Sequence, residues 1–178
     1  MSDKSKNLMD QAFAALLSDD DAKVLGALVA VEARGDARAI RPLLHALAGA
    51  RDQGVRQRIT NLLNQVKVPD AARELIAALD EPSLAGVRTA VLSALWNAGL
   101  DVRDHLEVLV GVAIGGTAEE CFECLTVVEN QELWPERAAR TSSTRLRNAA
   151  AAEPDPYKAT LLNDLRAVLD ERLGRDDA

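Results

Sequence analysis

The apolar positions of this chain recur at helical rather than strand spacing. Val55, Ile59, Leu62, Leu63 and Val66 fall at i, i+4, i+7, i+8 and i+11, the stripe of one amphipathic helix. The pattern then repeats. Gly54–Leu63 (GVRQRITNLL) aligns without gaps on Gly86–Leu95 (GVRTAVLSAL), thirty-two residues further on. The segments before them keep the same offset, with Ala39–Leu47 (AIRPLLHAL) falling on Ala71–Leu79 (AARELIAAL). Two separate motifs in one register predict stacked supersecondary units, each a pair of helices.

Extending the register gives five pairs: 5–18 with 21–34, 37–49 with 54–66, 69–79 with 84–98, 101–114 with 117–130, and 135–151 with 156–173. Punctuation supports the boundaries. Gly35-Asp36 ends one helix and caps the next, Pro69 suits a first helical position, and Asn97-Ala98-Gly99 reads as a stop. The pair 135–173 is atypical, opening on Trp134-Pro135 with an Arg-rich first helix. That composition fits a terminal cap, which must turn a polar face outward. No segment shows the alternation of a strand.

Composition agrees with an all-helical reading: aromatics are 3% of 178 residues, and Ala and Leu, both good helix formers, dominate the apolar set. The net charge of −7 disfavours nucleic acid as a partner, because an acidic surface repels phosphates. The N-terminal stretch has no apolar run typical of a secretory signal, and no window is apolar enough to span a membrane, so the chain reads as cytosolic.

GDARAIRPLLHAL followed by GVRQRITNLL, then AARELIAAL followed by GVRTAVLSAL, resembles the short bacterial HEAT-like repeat of the lyase type. Gly35, Asp36, Arg38, Ala39, Ile40, Pro42, Leu43 and Leu44 match its first-helix pattern, and Val55-Arg56 and Val87-Arg88 its second-helix motif. The resemblance covers 20–98 best, extends to 101–130 and fades beyond. It implies a right-handed α-solenoid forming a single domain over 1–178, with second helices on the concave side. Most such proteins are binding scaffolds. A minority are tetrapyrrole-chromophore lyases or DNA-lesion enzymes, so fold alone does not assign an activity.

Candidate chemistry is sparse. Cys121 and Cys124, in ECFECL, have the spacing of a metal clamp or a redox dithiol. Shifting the second-helix motif by thirty residues instead puts Cys121 on Val91 and Cys124 on Ala94, both core positions; a shift of thirty-one would put Phe122 on Val91. His45 and His105 lie on first helices, with no second C-x-x-C to complete a zinc site. Arg56 and Arg88 occupy equivalent positions and suit a structural ladder to acids or carbonyls. Arg137, Arg140, Arg145 and Arg147 form the one basic cluster, either solvated or facing an acidic partner.

What the helices leave outside the stripe is more informative. At about 100° per residue, Leu92 lies about 140° and Trp96 about 180° from Val87, so both are expected to point outward. Equivalent outward positions carry Thr60 and Asn64 beside Gln57 and Asn61, and Phe122 and Thr126 beside Glu119 and Glu123. The expected site is therefore Gln57, Asn61, Asn64, Leu92, Trp96, Glu119, Phe122 and Glu123, an apolar centre in a polar surround, as on protein-binding surfaces. The sequence thus predicts a non-enzymatic scaffold for another protein or peptide, without cofactor, metal, nucleic acid or membrane; it leaves the oligomeric state open and favours a monomer. Its alternatives are a lyase or thiol enzyme using Cys121 and Cys124, and a nucleic-acid-binding protein.

Overall fold

Each predicted stripe becomes a helix. The computed structural model describes residues 3–176, and among them it is all-α, with ten α-helices and no strand. These are α1 (Asp3–Leu16), α2 (Asp21–Arg34), α3 (Ile40–Gly49), α4 (Gln53–Asn64), α5 (Ala71–Leu79), α6 (Arg88–Asn97), α7 (Leu106–Gly115), α8 (Ala118–Glu129), α9 (Glu136–Ala152) and α10 (Pro156–Asp176). Short 3-10 turns at Ala37–Ala39, Pro82–Val87 and Arg103–His105 lead into α3, α6 and α7, so those helices begin a few residues later than the periodicity suggests. Pro69 is not in a helix. Asp70 after it has φ 64, a left-handed turn, and α5 starts only at Ala71.

Local chemistry fixes the other ends. The Asp20 side chain accepts from the Ala22 amide at 3.0 Å to open α2, and Asp52 accepts from the Val55 amide at 2.8 Å to open α4. At the end of α6, the Gly99 amide bonds the Trp96 carbonyl at 3.0 Å and the Leu100 amide bonds the Leu95 carbonyl at 3.1 Å. That pair of bonds is the Schellman arrangement, and it needs a left-handed residue, supplied by Gly99 at φ 60.

The chain forms two compact units, Met1–Leu100 and Asp101–Ala178. In the first, α1 packs on α2, α3 on α4 and α5 on α6. The first helices also pack in order, α1 to α3 to α5, and so do the second helices, α2 to α4 to α6. Repeats that bury their faces on their neighbours give this stacking, the logic of an α-solenoid. In the second unit α7 packs on α8 and α9 on α10, while α7 meets α9 and α8 meets α10. The core of the first unit is Leu28, Leu44, Ile59, Leu75, Val91 and Leu95; that of the second includes Leu109, Cys124, Leu146, Leu162 and Leu165.

Cationic side chains close the helix C-termini, where carbonyls lack intrahelical partners. Arg56 donates to the Leu47 carbonyl at 3.0 Å, and Arg88, thirty-two residues on, donates to the Leu79 carbonyl at 2.9 Å. The repeated arginine is therefore the expected structural ladder, running to the end of its own repeat's first helix. Lys67 bonds the Ala98 carbonyl, Lys158 reaches the Ile114 carbonyl at 2.9 Å, and Arg172 gathers the carbonyls of Val128 at 2.6 Å and Glu129 at 2.7 Å. Each also places positive charge at the negative end of a helix dipole.

Candidate functional site

The predicted surface residues sit on second helices, and their fates differ. On α4, Gln57 and Asn61 are exposed and lie 3.5 Å apart, Nε2 to Oδ1; Asn64 is half-buried, with its Oδ1 occluded and without a hydrogen-bond partner. On α6, Trp96 is half-buried. Leu92 does not belong to the surface: it is 0% exposed. The single-stripe projection fails there because α6 is covered on more than one side, by α5 of its own repeat and by α4 of the repeat before. Val91, Leu92, Ala94 and Leu95 are all buried, which is an apolar band much broader than one stripe.

On α8, Phe122 is 50% exposed, Glu119 is exposed, and Glu123 is half-buried. Thr117 and Glu120 hold the start of α8 in a capping box. The Glu120 amide donates to the Thr117 hydroxyl at 3.2 Å, and the Thr117 amide donates to the Glu120 carboxylate at 2.8 Å. Glu120 is 6% exposed, its carboxylate turned back onto this cap. Gly116 is what lets it fold back: a Cβ there would stand 2.1 Å from Glu120 Oε2. The Glu119 carboxyl is held below the usual carboxylate range by its own backbone N–H and the Thr117 hydroxyl.

Both cysteines are buried and free, and both are 0% exposed. Burial pushes the Cys121 thiol up to about 11 against the pull of Lys158, and it also holds the Cys124 thiol well above its ordinary value. A protonated, occluded thiol is a poor nucleophile at neutral pH. Their burial also agrees with the thirty-residue register: Val91 and Cys121, Ala94 and Cys124, and Ala98 and Val128 are all buried pairs. We expect a thiol reagent to label neither cysteine in the folded protein and both on addition of denaturant; rapid labelling of one in the native state would put chemistry back at ECFECL.

His45 serves the fold. His45 Nε2 lies 3.1 Å from Glu81 Oε1, which also accepts from the Ser83 hydroxyl at 2.7 Å, and Arg41 joins the same carboxylate and lies 3.7 Å from Glu74. This network ties α3 to α5 and to the turn before α6. His105 is half-exposed at the residue before α7. Among the described residues no cluster of His, Cys, Asp and Glu could hold a metal ion, and no helix is long and apolar enough to cross a membrane.

Sequence reasoning passed over Lys158. Its Nζ lies 3.1 Å from Glu153 Oε2, with side chains only 11% and 14% exposed, in an ion pair near Cys121. Glu153 is only five residues upstream but across the break between α9 and α10, and the Ile114 carbonyl comes from α7, so no helical spacing marks the site. No curated protein and no solved structure matches the chain. The model of HEAT repeats matches residues 9–96, just under half of the chain, and over that stretch the protein is built of HEAT-like repeats.

Proposed function

We propose that this is a non-enzymatic interaction module that binds another protein or peptide through the outward faces of its second helices. The observation that carries the reading is Phe122. In a chain with 3% aromatics, a phenylalanine half in water costs hydration free energy unless something covers it. It stands on α8 beside Glu119 and Glu123, an apolar anchor with carboxylates around it. In the first unit the corresponding faces of α4 and α6 offer Gln57, Asn61 and Asn64 as hydrogen-bonding groups and Trp96 as the aromatic one.

The buried, protonated cysteines weigh against a thiol-dependent enzyme, and the acidic residues beside Phe122 weigh against nucleic acid at that face. A soluble, cytoplasmic protein is the setting that fits.

Phe122→Ala is expected to change stability by less than about 0.5 kcal/mol, the usual range for a surface substitution. The same change should abolish crosslinking from a photoreactive residue placed at a neighbouring exposed position such as Glu119. If partners are crosslinked equally with and without the Phe122 ring, α8 is not the contact face. If the substitution unfolds the second unit, Phe122 is structural.

A further inference from the structure

The charge of this protein is unevenly placed. The first unit, 1–100, has twelve Lys and Arg against twelve Asp and Glu; the second, 101–178, has nine against sixteen and carries the whole net charge of −7. Yet α9, inside that acidic unit, has four arginines and one carboxylate, Glu136. Arg137, Arg140, Arg145 and Arg147 are all exposed. At about 100° per residue they span roughly a 160° arc, and Arg137 to Arg147 covers about 15 Å of helix. Buried Ala139, Ser142, Leu146 and Ala150 define the opposite face.

Other arginines of this unit are engaged within the molecule: Arg103 grips Asp101 at 2.6 Å, Arg166 lies 3.8 Å from Asp170, and Arg172 caps α8. On α9 only Arg140 has such a partner in view, Glu136 at 2.8 Å. Arg137, Arg145 and Arg147 meet no carboxylate among the described residues, in a unit with carboxylates in excess. Their strip therefore offers three guanidinium groups with their donors turned to solvent.

We propose that the exposed face of α9 binds a short acidic segment of a protein partner, its Asp or Glu carboxylates taken by Arg137, Arg145 and Arg147. Guanidinium matches carboxylate through two parallel hydrogen bonds, which explains arginine rather than lysine at all four positions. The extent of the strip selects the partner's size. Apart from α9, the second unit has five cations against fifteen acids, a field that repels a long polyanion or an anionic membrane. A segment of about ten helical residues touches the strip alone. This surface is separate from the one around Phe122 and does not depend on it.

The test uses the full chain and fluorescence polarisation. The probe is a labelled peptide of about twelve residues with glutamates at i, i+4 spacing; its glutamine counterpart and a single-stranded oligonucleotide of similar length are the comparisons. The glutamate peptide should bind, weaken as salt rises, and bind about tenfold less tightly to Arg137→Gln/Arg145→Gln/Arg147→Gln. The triple lysine variant should fall between, and Arg34→Gln, an exposed arginine on α2, should bind as the wild type does. Circular dichroism checks that the variants are folded. Equal binding of the glutamine peptide, or no effect of the triple replacement, overturns the proposal. Tighter binding of the oligonucleotide overturns it in favour of nucleic acid, and self-association abolished by the triple variant overturns it in favour of a second copy of this chain.

Discussion

Leu92→Ala is expected to lower the unfolding free energy by about 3 kcal/mol, within the range for truncating a fully buried leucine. The loss has two sources: transfer of the deleted methyl groups to water, and the cavity left among neighbours that relax only in part. Leu92 is 0% exposed and sits among Val91, Ala94 and Leu95, all buried, on a helix covered by α4 and α5. Urea unfolding gives the change in stability, and amide exchange locates it, because the two units need not unfold together. Loss of protection should centre on α4, α5 and α6. A change below about 0.5 kcal/mol would return Leu92 to the surface.

Lys158→Met should cost a comparable amount, about 3 kcal/mol, for a different reason. The substitution keeps much of the side-chain volume but removes the charge that Glu153 faces at 3.1 Å and the donor to the Ile114 carbonyl at 2.9 Å. A carboxylate only 14% exposed is then left without its counter-ion, and a helix-end carbonyl without its donor. Breaking such a pair from one side is costly, whereas removing both charges together is far less so. The double variant Lys158→Met/Glu153→Gln should therefore recover a large part of the loss, while Glu153→Gln alone leaves Lys158 its carbonyl bond. Two effects that simply add in the cycle would show that the pair is not coupled.

Much of the fold was legible in the residues themselves. Helices are local objects, so the 3.6-residue periodicity of Val55, Ile59 and Leu63 located α4 to within a few residues, and the thirty-two-residue offset found its counterpart in α6. The burial of Cys121 and Cys124 followed from the same repeat. Legibility stopped where a side chain's surroundings come from distant elements. Leu92 and Phe122 hold equivalent positions in consecutive repeats, yet one is 0% and the other 50% exposed. A helical wheel assigns both the same direction and cannot tell which will be covered. Pro69 misled for a narrower reason: Pro-Asp suits a turn as well as a helix start, and here the left-handed Asp70 makes the turn and delays the helix.

The candidate surfaces divide in the same way. Sequence alone placed Gln57, Asn61 and Phe122 outward and gathered four arginines on one helix, because those facts depend only on helical phase. Arg103 and Arg166 find their carboxylates close by in sequence, Asp101 two residues back and Asp170 four residues on, whereas Arg137, Arg145 and Arg147 meet none among the described residues.

What the sequence determined by itself is the repeat: the helix pairs to within a few residues, and the arginines Arg56 and Arg88 that cap α3 and α5, all consequences of interactions within about a dozen residues. What only the tertiary structure decided is coverage. Stacking α4, α5 and α6 buried Leu92, and packing α7 against the segment that holds the Glu153–Lys158 pair brought the Ile114 carbonyl to Lys158 and left both side chains largely covered. Burial is a sum over neighbours remote in sequence, so it exists only once the helices are packed.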